Sequence, residues 1–433
     1  MNRKIGVNGF GRVGKLLVWN LIASESYSEI VVNTGTPNIG EPPISMPLIA
    51  NYLEKDSTYG RLSDYLKRST NSGFDMKLNE GEPEILIFLK RLAGSDSDIR
   101  TDDEEPECKL TFITEKTKPQ DIPWKACGIK LVVDATGMFL HPYADESAAS
   151  GSLRGHLEAG AEMVVVTAPF QLGETEDQPQ DCITTIAGIN QNVFDSRSHK
   201  IISIASCTTT CLAHMVKPLF QKYGHKQILS ISMVTVHALT SAQPALDLIP
   251  DGRHSNERFY RSAINNIILT STGATKSLRL VLPEMEKIGF ITQSVRVPVS
   301  TGSLIIMTVN IQDKIDRKDR IKRQEINDIY EQEAKLAGSC IAYSEKPHVS
   351  EDIKGLNKAV LIEGCETHTR TADATIETDS LHAEGSVGCK DNSIRIPITQ
   401  ATIYGWYDNE MGNFVDMLSK NLDHIFERTP FLD

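Results

Sequence analysis

Three glycines near the start of the chain, Gly9, Gly11 and Gly14, constrain its fold more than any other feature. A strand-like run, residues 4–8, precedes them, apolar residues at helical spacing follow them, and a second strand-like run covers residues 29–33. In such a turn the first glycine permits a tight bend, the second lets backbone amides approach a pyrophosphate, and the third lets helix and strand pack closely. This order predicts a βαβ unit that opens a doubly wound parallel sheet, with a dinucleotide bound at the turn.

The end of the second strand departs from the usual dinucleotide pattern. An acidic residue about 20 residues after the turn normally binds the adenosine ribose, whereas Thr34 stands at that position here. A carboxylate there would repel a 2′-phosphate and Thr34 would not. The sequence therefore leaves both NAD and NADP open as cofactors.

Composition excludes several classes of function. The chain has 433 residues, with 45 Lys and Arg against 57 Asp and Glu and a formal net charge of −12, which argues against general nucleic-acid binding. No apolar run reaches the roughly 20 residues of a membrane helix. The first residues lead straight into a strand-like pattern, so we expect no signal peptide. The eight cysteines show no CxxC pair, which favours reduced thiols in the cytoplasm over disulfides or a bound metal.

Cys207 is the first candidate for chemistry. It follows Ser206 at the predicted start of a helix whose apolar stripe runs to Tyr223 and which Gly224 ends. A helix N-terminus and a nearby histidine would both lower the pKa of a thiol. Cys211 lies one turn further along, where this effect is weaker, and we interpret it as a packing residue. A role as a small buried hydrophobic residue is the alternative for Cys207.

A histidine and a hydroxyl-rich turn extend the candidate site. His237 ends the strand-like run 228–236 and faces a loop, where it can act as a general base, although a structural histidine fits the same pattern. The hydroxyl and glycine turn at residues 270–276 precedes a predicted helix and can bind an anion. These features suggest a phosphorylated small molecule as ligand, and three arginines accompany them: Arg258, Arg261 and Arg296.

Three polar or proline-rich stretches are interpreted as insertions into the predicted domains. They lie near residues 36–47, 71–107 and 366–392. We expect solvent-exposed segments without a role in the chemistry, and a role in assembly or regulation is the alternative.

Taken together, the motifs resemble the glyceraldehyde-3-phosphate dehydrogenase family along nearly the whole chain. They occur in the family's order, which identifies the chain as a member by resemblance. The matches are Asn8–Gly14 to NGFGRIG, Asp56–Thr58 to DST, Asp134–Phe139 to STGVF, Thr167–Pro169 to SAP, Ala205–Thr209 to ASCTT, Val234–Ala238 to TTVHA, Ser271–Ala274 to STGA, Phe290–Pro298 to the strand ending in RVP, and Trp406–Glu410 to WYDNE.

The resemblance implies an α/β fold with two domains. A Rossmann doubly wound parallel sheet would form the NAD(P)-binding domain, residues 1–205. An α+β catalytic domain with a mixed or antiparallel sheet would cover residues 206–405. The last helix, in residues 406–433, would return to the Rossmann domain, and the protein would be a homotetramer.

The resemblance also implies a role for each candidate residue. Cys207 would be the nucleophile and His237 the base. The cofactor, NAD or NADP with NAD slightly favoured, would contact Gly9, Phe10, Gly11, Arg12, Val13, Gly14, Thr34, Thr136, Thr167 and Asn409. The phosphorylated aldehyde and inorganic phosphate would contact Ser206, Thr208, Thr240, Arg258, Arg261, Thr272, Gly273 and Arg296.

The chain departs from the family pattern around these ligand sites. Besides Thr34, the departures are Thr210 in place of Asn, Ser241-Ala242 in place of an Asn-Asp type pair, Phe259 in place of an Arg found in some members, and Asn413 in place of a Tyr. The expected reaction is oxidation of glyceraldehyde 3-phosphate to 1,3-bisphosphoglycerate. The departures leave two alternatives: a dehydrogenase for a related aldehyde such as erythrose 4-phosphate, and a non-catalytic binding or regulatory paralogue.

Overall fold

The structure, a computed structural model, describes residues 3–35, 44–79, 81–91, 105–114, 116–173, 176–252, 256–314, 319–377 and 393–432. Parts of the three predicted insertions lie outside the described residues: 36–43, 92–104 and 378–392. The chain divides into two compact units. We call them the first unit (Met1–Cys207 with Glu410–Asp433) and the second unit (Thr208–Asn409).

The first unit is built on a largely parallel sheet, as the glycine turn and its flanking strands predict. Its strands are β1 (Arg3–Asn8), β2 (Tyr27–Asn33), β3 (Lys55–Asp56), β4 (Gly60–Arg61), β5 (Ser72–Leu78), β6 (Glu84–Arg91), β7 (Cys108–Ile113), β8 (Leu131–Asp134), β9 (Met163–Val166), β10 (Cys182–Thr184) and β11 (Ile201–Ser203). Within the described residues, nine of them pair in the order β10-β11-β9-β8-β1-β2-β7-β6-β5, and β3 pairs with β4. In the large sheet the pairs β5–β6 and β6–β7 are antiparallel and the others parallel.

The helices of the described chain are α1 (Arg12–Ala23), α2 (Met46–Glu54), α3 (Leu62–Thr70), α4 (Leu153–Glu158), α5 (Cys207–Tyr223), α6 (Ala274–Val281), α7 (Arg323–Ala334) and α8 (Asp416–Arg428). α1 starts directly after the glycine turn and buries its apolar face in the core of the first unit, where Trp19 is fully buried and donates Nε1–H to the Leu53 carbonyl at 2.7 Å. α8 adds Leu418, Leu422 and Phe426 to the same core. None of the described helices is long and apolar enough to span a bilayer.

The carboxyl ends of three parallel strands meet at one edge of the first sheet. Asn8, the last residue of β1, is paired in register with Asn33 of β2 on one side and with Asp134 of β8 on the other. The chain continues from β1 to β2 in one direction, and β8 and β9 lie in the other. Such a reversal of strand order is where open α/β sheets bind ligands.

The second unit contains a mixed sheet. Its strands are β12 (Ile228–His237), β13 (Ile268–Thr270), β14 (Gly289–Arg296), β15 (Ser303–Gln312), β16 (Ile341–Ser344), β17 (Val360–Glu363), β18 (His368–Glu377) and β19 (Ser393–Tyr407). The described strands pair in the order β13-β14-β12-β15-β19-β17-β16, and β18 also pairs with β19. The pairs β12–β14 and β16–β17 are parallel. A parallel-rich sheet followed by a mixed sheet confirms the predicted α/β fold class.

Two of the predicted insertions contain sheet strands. β5 and β6 lie within residues 71–107, and β18 lies within residues 366–392. The polarity of these stretches predicts solvent-exposed segments and gives no indication of strands. β18 pairs with β19 along its whole length while most of its residues stay exposed, and its threonines suit a pleated surface. Polar composition alone therefore does not distinguish an exposed strand from a loop.

Candidate functional site

The glycine turn forms part of a cavity in the first unit. The cavity measures about 320 Å³ and is lined by Phe10, Gly11, Thr34, Ile44, Leu48, Ile49 and Tyr52. A Cβ added to Gly11 would meet no atom within 4 Å, so the backbone there faces open space. A Cβ on Gly14 would lie 1.9 Å from the carbonyl oxygen of Gly9. The backbone is therefore tightly packed at Gly14 and has free space beside it at Gly11. A dinucleotide pyrophosphate needs this arrangement to approach the backbone amides.

Arg12, which the resemblance implies as a cofactor contact, is bound by two carboxylates. Its guanidinium pairs with Asp56 and Glu410, and Lys15 Nζ lies 2.6 Å from Asp56 Oδ2. Burial opposes the charge of Arg12, but Glu410 and Asp56 outweigh burial and raise its pKa. Burial also opposes the charge of Asp56, and hydrogen bonds from Lys15 and two backbone amides lower its pKa to about 2. These four charges balance, so the amides at the start of α1 are the better source of positive potential for a pyrophosphate.

Thr34 lies where the cavity meets the end of β2. Its hydroxyl donates to the carbonyl of Gly35 at 3.1 Å and is 3.4 Å from the carbonyl of Ile113. Among the described residues that line the cavity, none carries a carboxylate. The described part of the cavity lining therefore carries no group that would repel a 2′-phosphate.

Cys207 is the first residue of α5 and follows a sharp backbone turn. Ala205 has a φ of 59°, in the left-handed region, and its amide donates to Ser203 Oγ at 3.1 Å. A non-glycine residue seldom adopts this conformation, which costs about 1–3 kcal/mol. The turn places Ser206 and Cys207 at the beginning of the helix. Sequence reasoning missed it because alanine gives no signal for a positive φ.

The described cysteines are thiols, and none of them is joined in a disulfide. Burial raises the pKa of Cys108 and of Cys182 to about 12. Burial also raises the pKa of Cys127 and of Cys365. Thiols of this kind react slowly near neutral pH, because the thiolate is the nucleophile.

In the second unit, His237 contacts Arg296. The two residues are register partners in β12 and β14, and the Arg296 guanidinium touches His237 Nδ1. Nδ1 also lies 2.7 Å from the carbonyl of Ala238, to which Arg296 Nη1 donates at 3.1 Å. Burial, followed by the charge of Arg296, lowers the pKa of His237 to about 3, against the opposing effect of the Ala238 carbonyl. The imidazole is therefore neutral near pH 7, as a general base must be.

Tyr407 joins the start of α5 to the strand that carries His237. Its hydroxyl is 3.2 Å from Thr208 Oγ1 and 2.7 Å from Thr235 Oγ1. Its ring packs edge-on against the His237 ring, with centroids 6.0 Å apart. The sequence analysis did not select this tyrosine, although it lies in the Trp406–Glu410 motif. Tyr407 is fully buried, and its hydroxyl orients the Thr208 side chain through this hydrogen bond.

The other predicted phosphate contacts of the second unit are more dispersed. Thr240 bonds to the side chain of Gln243, and Gly273 precedes α6 with open space where a Cβ would stand. In the β13–β14 register Arg296 faces Ile268, whereas Thr272 follows Thr270, which faces Ser294. The structure thus brings His237 and Arg296 into contact but sets Thr272 toward the other end of β14.

The two arginines after His237 are exposed. Arg258 lies in a short 3₁₀ segment, and its backbone amide is capped by Asn256. Arg261 forms an exposed ion pair with Asp247 at 3.2 Å. Their exposed positions support a direct contact with phosphate less well than the position of Arg296, which contacts His237.

Three further predicted cofactor contacts are held by neighbouring side chains or carbonyls. Thr136 donates to the side chain of Asp134, and Thr167 donates its hydroxyl to the Asp134 carbonyl at 3.1 Å. Asn409, in the second unit, accepts a bond from Ser303 Oγ at 2.8 Å. All three side chains thus have hydrogen-bond partners within the protein.

Within the described residues, one group of side chains could hold a metal ion. Glu363, Cys365 and Glu366 have ligand atoms within 4.8 Å of one another. Burial and the charge of Glu363 raise the pKa of Cys365, which disfavours the thiolate that a metal would need. Trp406 and the backbone amide of His348 already donate to Glu363. The expectation of no bound metal stays a prediction.

The chain is similar to known glyceraldehyde-3-phosphate dehydrogenases along nearly its whole length. Residues 206–378 match the family profile described as glyceraldehyde 3-phosphate dehydrogenase, C-terminal domain. The chain is 30% identical over 419 residues to the glyceraldehyde-3-phosphate dehydrogenase of Mycobacterium leprae (strain TN), covering 95% of each chain. It is 30% identical over 424 residues to that of Borreliella burgdorferi, covering 96% of this chain and 99% of the relative. It is 28% identical over 414 residues to glyceraldehyde-3-phosphate dehydrogenase 2 of Bacillus subtilis, covering 95% and 94%.

These similarities define an oxidoreductase, and its α/β fold has a largely parallel sheet in the first unit and a mixed sheet in the second unit. The chain belongs to the glyceraldehyde-3-phosphate dehydrogenase family, which confirms the resemblance. An identity of about 30% to these relatives makes it a divergent member.

Proposed function

We propose that the protein is a phosphorylating glyceraldehyde-3-phosphate dehydrogenase that uses NAD or NADP and forms a thioester on Cys207. The observation that carries this proposal is the position of Cys207 as the first residue of α5, directly after the left-handed turn at Ala205. Helix N-termini favour thiolates. The neutral His237 of the second unit supplies a base of the kind that the reaction needs.

In the proposed mechanism, the Cys207 thiolate attacks the aldehyde carbon and forms a hemithioacetal. His237, which is neutral near pH 7, accepts the hydroxyl proton as the general base. A nicotinamide dinucleotide, held at the glycine turn of residues 9–14, would accept the hydride that leaves this carbon. The carbon remains on Cys207 as a thioester, which retains the oxidation energy that an ester would lose. Inorganic phosphate then releases it as the acyl phosphate.

The proposed phosphate ligands differ in how well they are placed. Arg296 is half-buried beside His237, and Thr208 is oriented by Tyr407, so we assign these two the direct contacts. Ser206, Thr240 and the Thr272-Gly273 turn, which the resemblance implies, complete the proposed set. Arg258 and Arg261 are exposed, and we assign them long-range attraction of the anionic substrate only.

Initial rates test the proposed function. Glyceraldehyde 3-phosphate and erythrose 4-phosphate are each assayed with NAD and with NADP, in the presence and absence of phosphate, by the appearance of reduced cofactor. The proposal expects the highest rate with glyceraldehyde 3-phosphate and a requirement for phosphate. Faster, phosphate-independent turnover of erythrose 4-phosphate would favour the related dehydrogenase. Dinucleotide binding without turnover of either aldehyde would favour the binding paralogue, which the changes at Thr210, Ala242, Phe259 and Asn413 motivate.

A substitution at Thr34 tests how the cofactor is chosen. Thr34→Asp is expected to weaken NADP binding at least about ten-fold, because the new carboxylate repels the 2′-phosphate across a few ångströms. NAD binding should change little or improve. Thr34→Asn is the matched control, since it has the shape of aspartate without the charge. Calorimetry gives the dissociation constants. If Thr34→Asp lost affinity equally for NAD and NADP, or if Thr34→Asn lost as much NADP affinity as Thr34→Asp, the electrostatic explanation would be wrong.

The low pKa of His237 determines the expected pH profile. A base works only when deprotonated, so its activity is present above its pKa and is lost as the pH falls through it. With a pKa of about 3, His237 should cause no loss of kcat at mildly acidic pH. Arg296→Gln removes the second cause of the low pKa, so the acid limb of kcat should move toward the ordinary value of about 6.5. An acid limb that is the same in both proteins would contradict this assignment.

His237→Asn is the control for this pH dependence. It should slow the reaction by about 10²–10⁴ at all pH values. Its stability should also depend less on pH. In the wild type the unfolded chain binds a proton at His237 below about pH 6.5 that the folded chain does not bind. The contribution of His237 to the free energy of unfolding is therefore present above that pH and is lost as the pH falls.

We propose a homotetramer in the cytoplasm, as is usual in the family. Large apolar side chains of the second unit support self-association, because each of them is more than half exposed: Leu246, Leu248, Ile249, Ile264, Ile267 and Leu269. The thiol state of the described cysteines fits a reducing compartment. A monomer in light scattering would contradict the assembly.

A further inference from the structure

A buried polar network lies at the carboxyl ends of β1, β2 and β8, beside the glycine turn. At its centre is Asp134, which is fully buried. Asp134 Oδ1 accepts the backbone amide and the hydroxyl of Thr136 at 3.1 and 2.7 Å. Asp134 Oδ2 accepts Asn8 Nδ2 at 2.7 Å and His156 Nε2 at 3.0 Å. Each carboxylate oxygen thus receives two hydrogen bonds.

His156 is held in one tautomer by Trp124. The indole Nε1–H of Trp124 donates to His156 Nδ1 at 2.9 Å, and both side chains are fully buried. An indole nitrogen can only donate, so Nδ1 must accept and the ring proton sits on Nε2. That proton points at Asp134. The histidine therefore cannot accept a hydrogen bond from residue 134 while Trp124 is in place.

The side-chain amide of Asn8 is likewise oriented by a hydrogen-bond donor, Asn33. Asn33 Nδ2 donates to Asn8 Oδ1 at 2.7 Å and to the carbonyl of Lys116 at 3.0 Å. The amide nitrogen of Asn8 consequently faces Asp134. With Thr136 and His156, every polar neighbour presents a donor, and only a carboxylate can accept from all of them.

Asp134 connects the two turns at the edge of the sheet. Asn8 directly precedes the glycine turn, and Thr136 lies in the turn after β8. A Cβ on Gly9 would lie 3.0 Å from backbone atoms of Ala135 and Thr136, and the Ala135 amide donates to the Asn8 carbonyl at 2.7 Å. The turns touch, and one carboxylate is bonded to both of them.

We propose that Asp134 is a positioning residue for the dinucleotide: it holds the turn at 9–14 against the turn at 135–137, and Trp124 fixes its partner through the tautomer of His156. The proposal rests on the proposed function in taking a dinucleotide as the ligand of these turns. Asp134 acts through Asn8 and Thr136 and touches no reacting atom.

Asp134→Asn is the first test. The side-chain amide must direct an N–H at one of the oriented donors, which leaves buried donors without acceptors and lets the two turns separate. Affinity for NAD and NADP, measured by calorimetry, should fall about ten-fold or more. The KM for the aldehyde should stay unchanged. A general loss of structure would instead alter both.

Removing the indole donor should rescue this variant. In Asp134→Asn/Trp124→Phe, His156 Nδ1 can take the ring proton, so Nε2 can accept from the new amide. The double variant should bind the dinucleotide more tightly than Asp134→Asn alone, although Trp124→Phe alone should weaken binding. Nitrogen-15 spectra of the histidine rings, with the His156 signals identified by their loss in His156→Gln, should show the change of tautomer.

Failure of the Asp134 proposal can be distinguished from failure of the proposed function. The proposal would be overturned if Asp134→Asn bound NAD and NADP as tightly as the wild type. It would also be overturned if the affinity loss of the double variant equalled the sum of the losses of the two single variants. If Asp134→Asn does not fold, Trp124→Phe carries the test, and a His156 spectrum identical to that of the wild type would overturn it. A wild-type protein that binds neither NAD nor NADP would refute the proposed function itself, which separates the two failures.

Discussion

Cys207→Ser is expected to lower kcat/KM for the aldehyde by at least about 10³-fold while dinucleotide affinity is unchanged. A serine hydroxyl is almost wholly protonated near neutral pH, even at the start of a helix, so the attacking anion is lost. An ester formed there would also resist phosphorolysis. Initial rates and calorimetry on the same preparation separate the loss of chemistry from any loss of binding.

Cys211→Ser is the matched control. Cys211 lies one turn further along α5 and is fully buried, so its substitution should leave most of the activity. Limited alkylation near neutral pH should modify Cys207 before the others, because burial raises the pKa of Cys108 and of Cys182 to about 12. Full activity in Cys207→Ser, or equal losses in the two variants, would show that the nucleophile lies elsewhere.

Local patterns predicted the elements that carry the candidate site. The apolar stripe and Gly224 predicted α5, which the structure ends at Tyr223. The pattern around residues 228–236 predicted the strand that ends at His237. Both predictions rest on short-range features, because the spacing of apolar residues and a glycine that ends a helix can be seen within one segment. The left-handed φ of Ala205 is local too, but alanine does not encode it.

Interactions between distant segments could not be predicted in this way. Arg12, which the resemblance implies as a cofactor contact, also pairs with Asp56 and with Glu410, which lies 398 positions further along the chain. Asp134 appeared only as the first letter of a motif. Its partners Asn8 and His156 come from another strand and from a helix, so only the sheet register reveals the network. Sequence motifs thus locate the turns, whereas the hydrogen bonds that hold the turns together can be seen only in the folded structure.

Gly14→Ala and Gly11→Ala should separate folding from ligand binding within one turn. A methyl group at residue 14 would lie 1.9 Å from the Gly9 carbonyl oxygen and 3.0 Å from its carbon. Both are backbone atoms, so α1 must move away from the turn. We expect Gly14→Ala to lower the free energy of unfolding by about 3 kcal/mol or more. The higher helix propensity of alanine, about 1 kcal/mol, does not offset this.

Gly11→Ala should behave in the opposite way. Gly11 has a φ of −75°, which alanine adopts readily, and its added Cβ would meet no atom. Unfolding without ligand should therefore occur at the same temperature or slightly higher. The methyl group would occupy the space that a pyrophosphate enters, so NAD and NADP affinity should fall at least about ten-fold.

Thermal unfolding and calorimetric binding are measured for both glycine variants. We expect lower stability only in Gly14→Ala, and weaker dinucleotide binding at unchanged stability in Gly11→Ala. If Gly11→Ala bound the dinucleotide as tightly as the wild type, the open side of the turn would not be the ligand site. If Gly14→Ala were as stable as the wild type, the contact between α1 and the Gly9 carbonyl would not limit the packing of the turn. Loss of stability in one variant and loss of binding in the other would assign a different physical role to each glycine, which their shared motif cannot do.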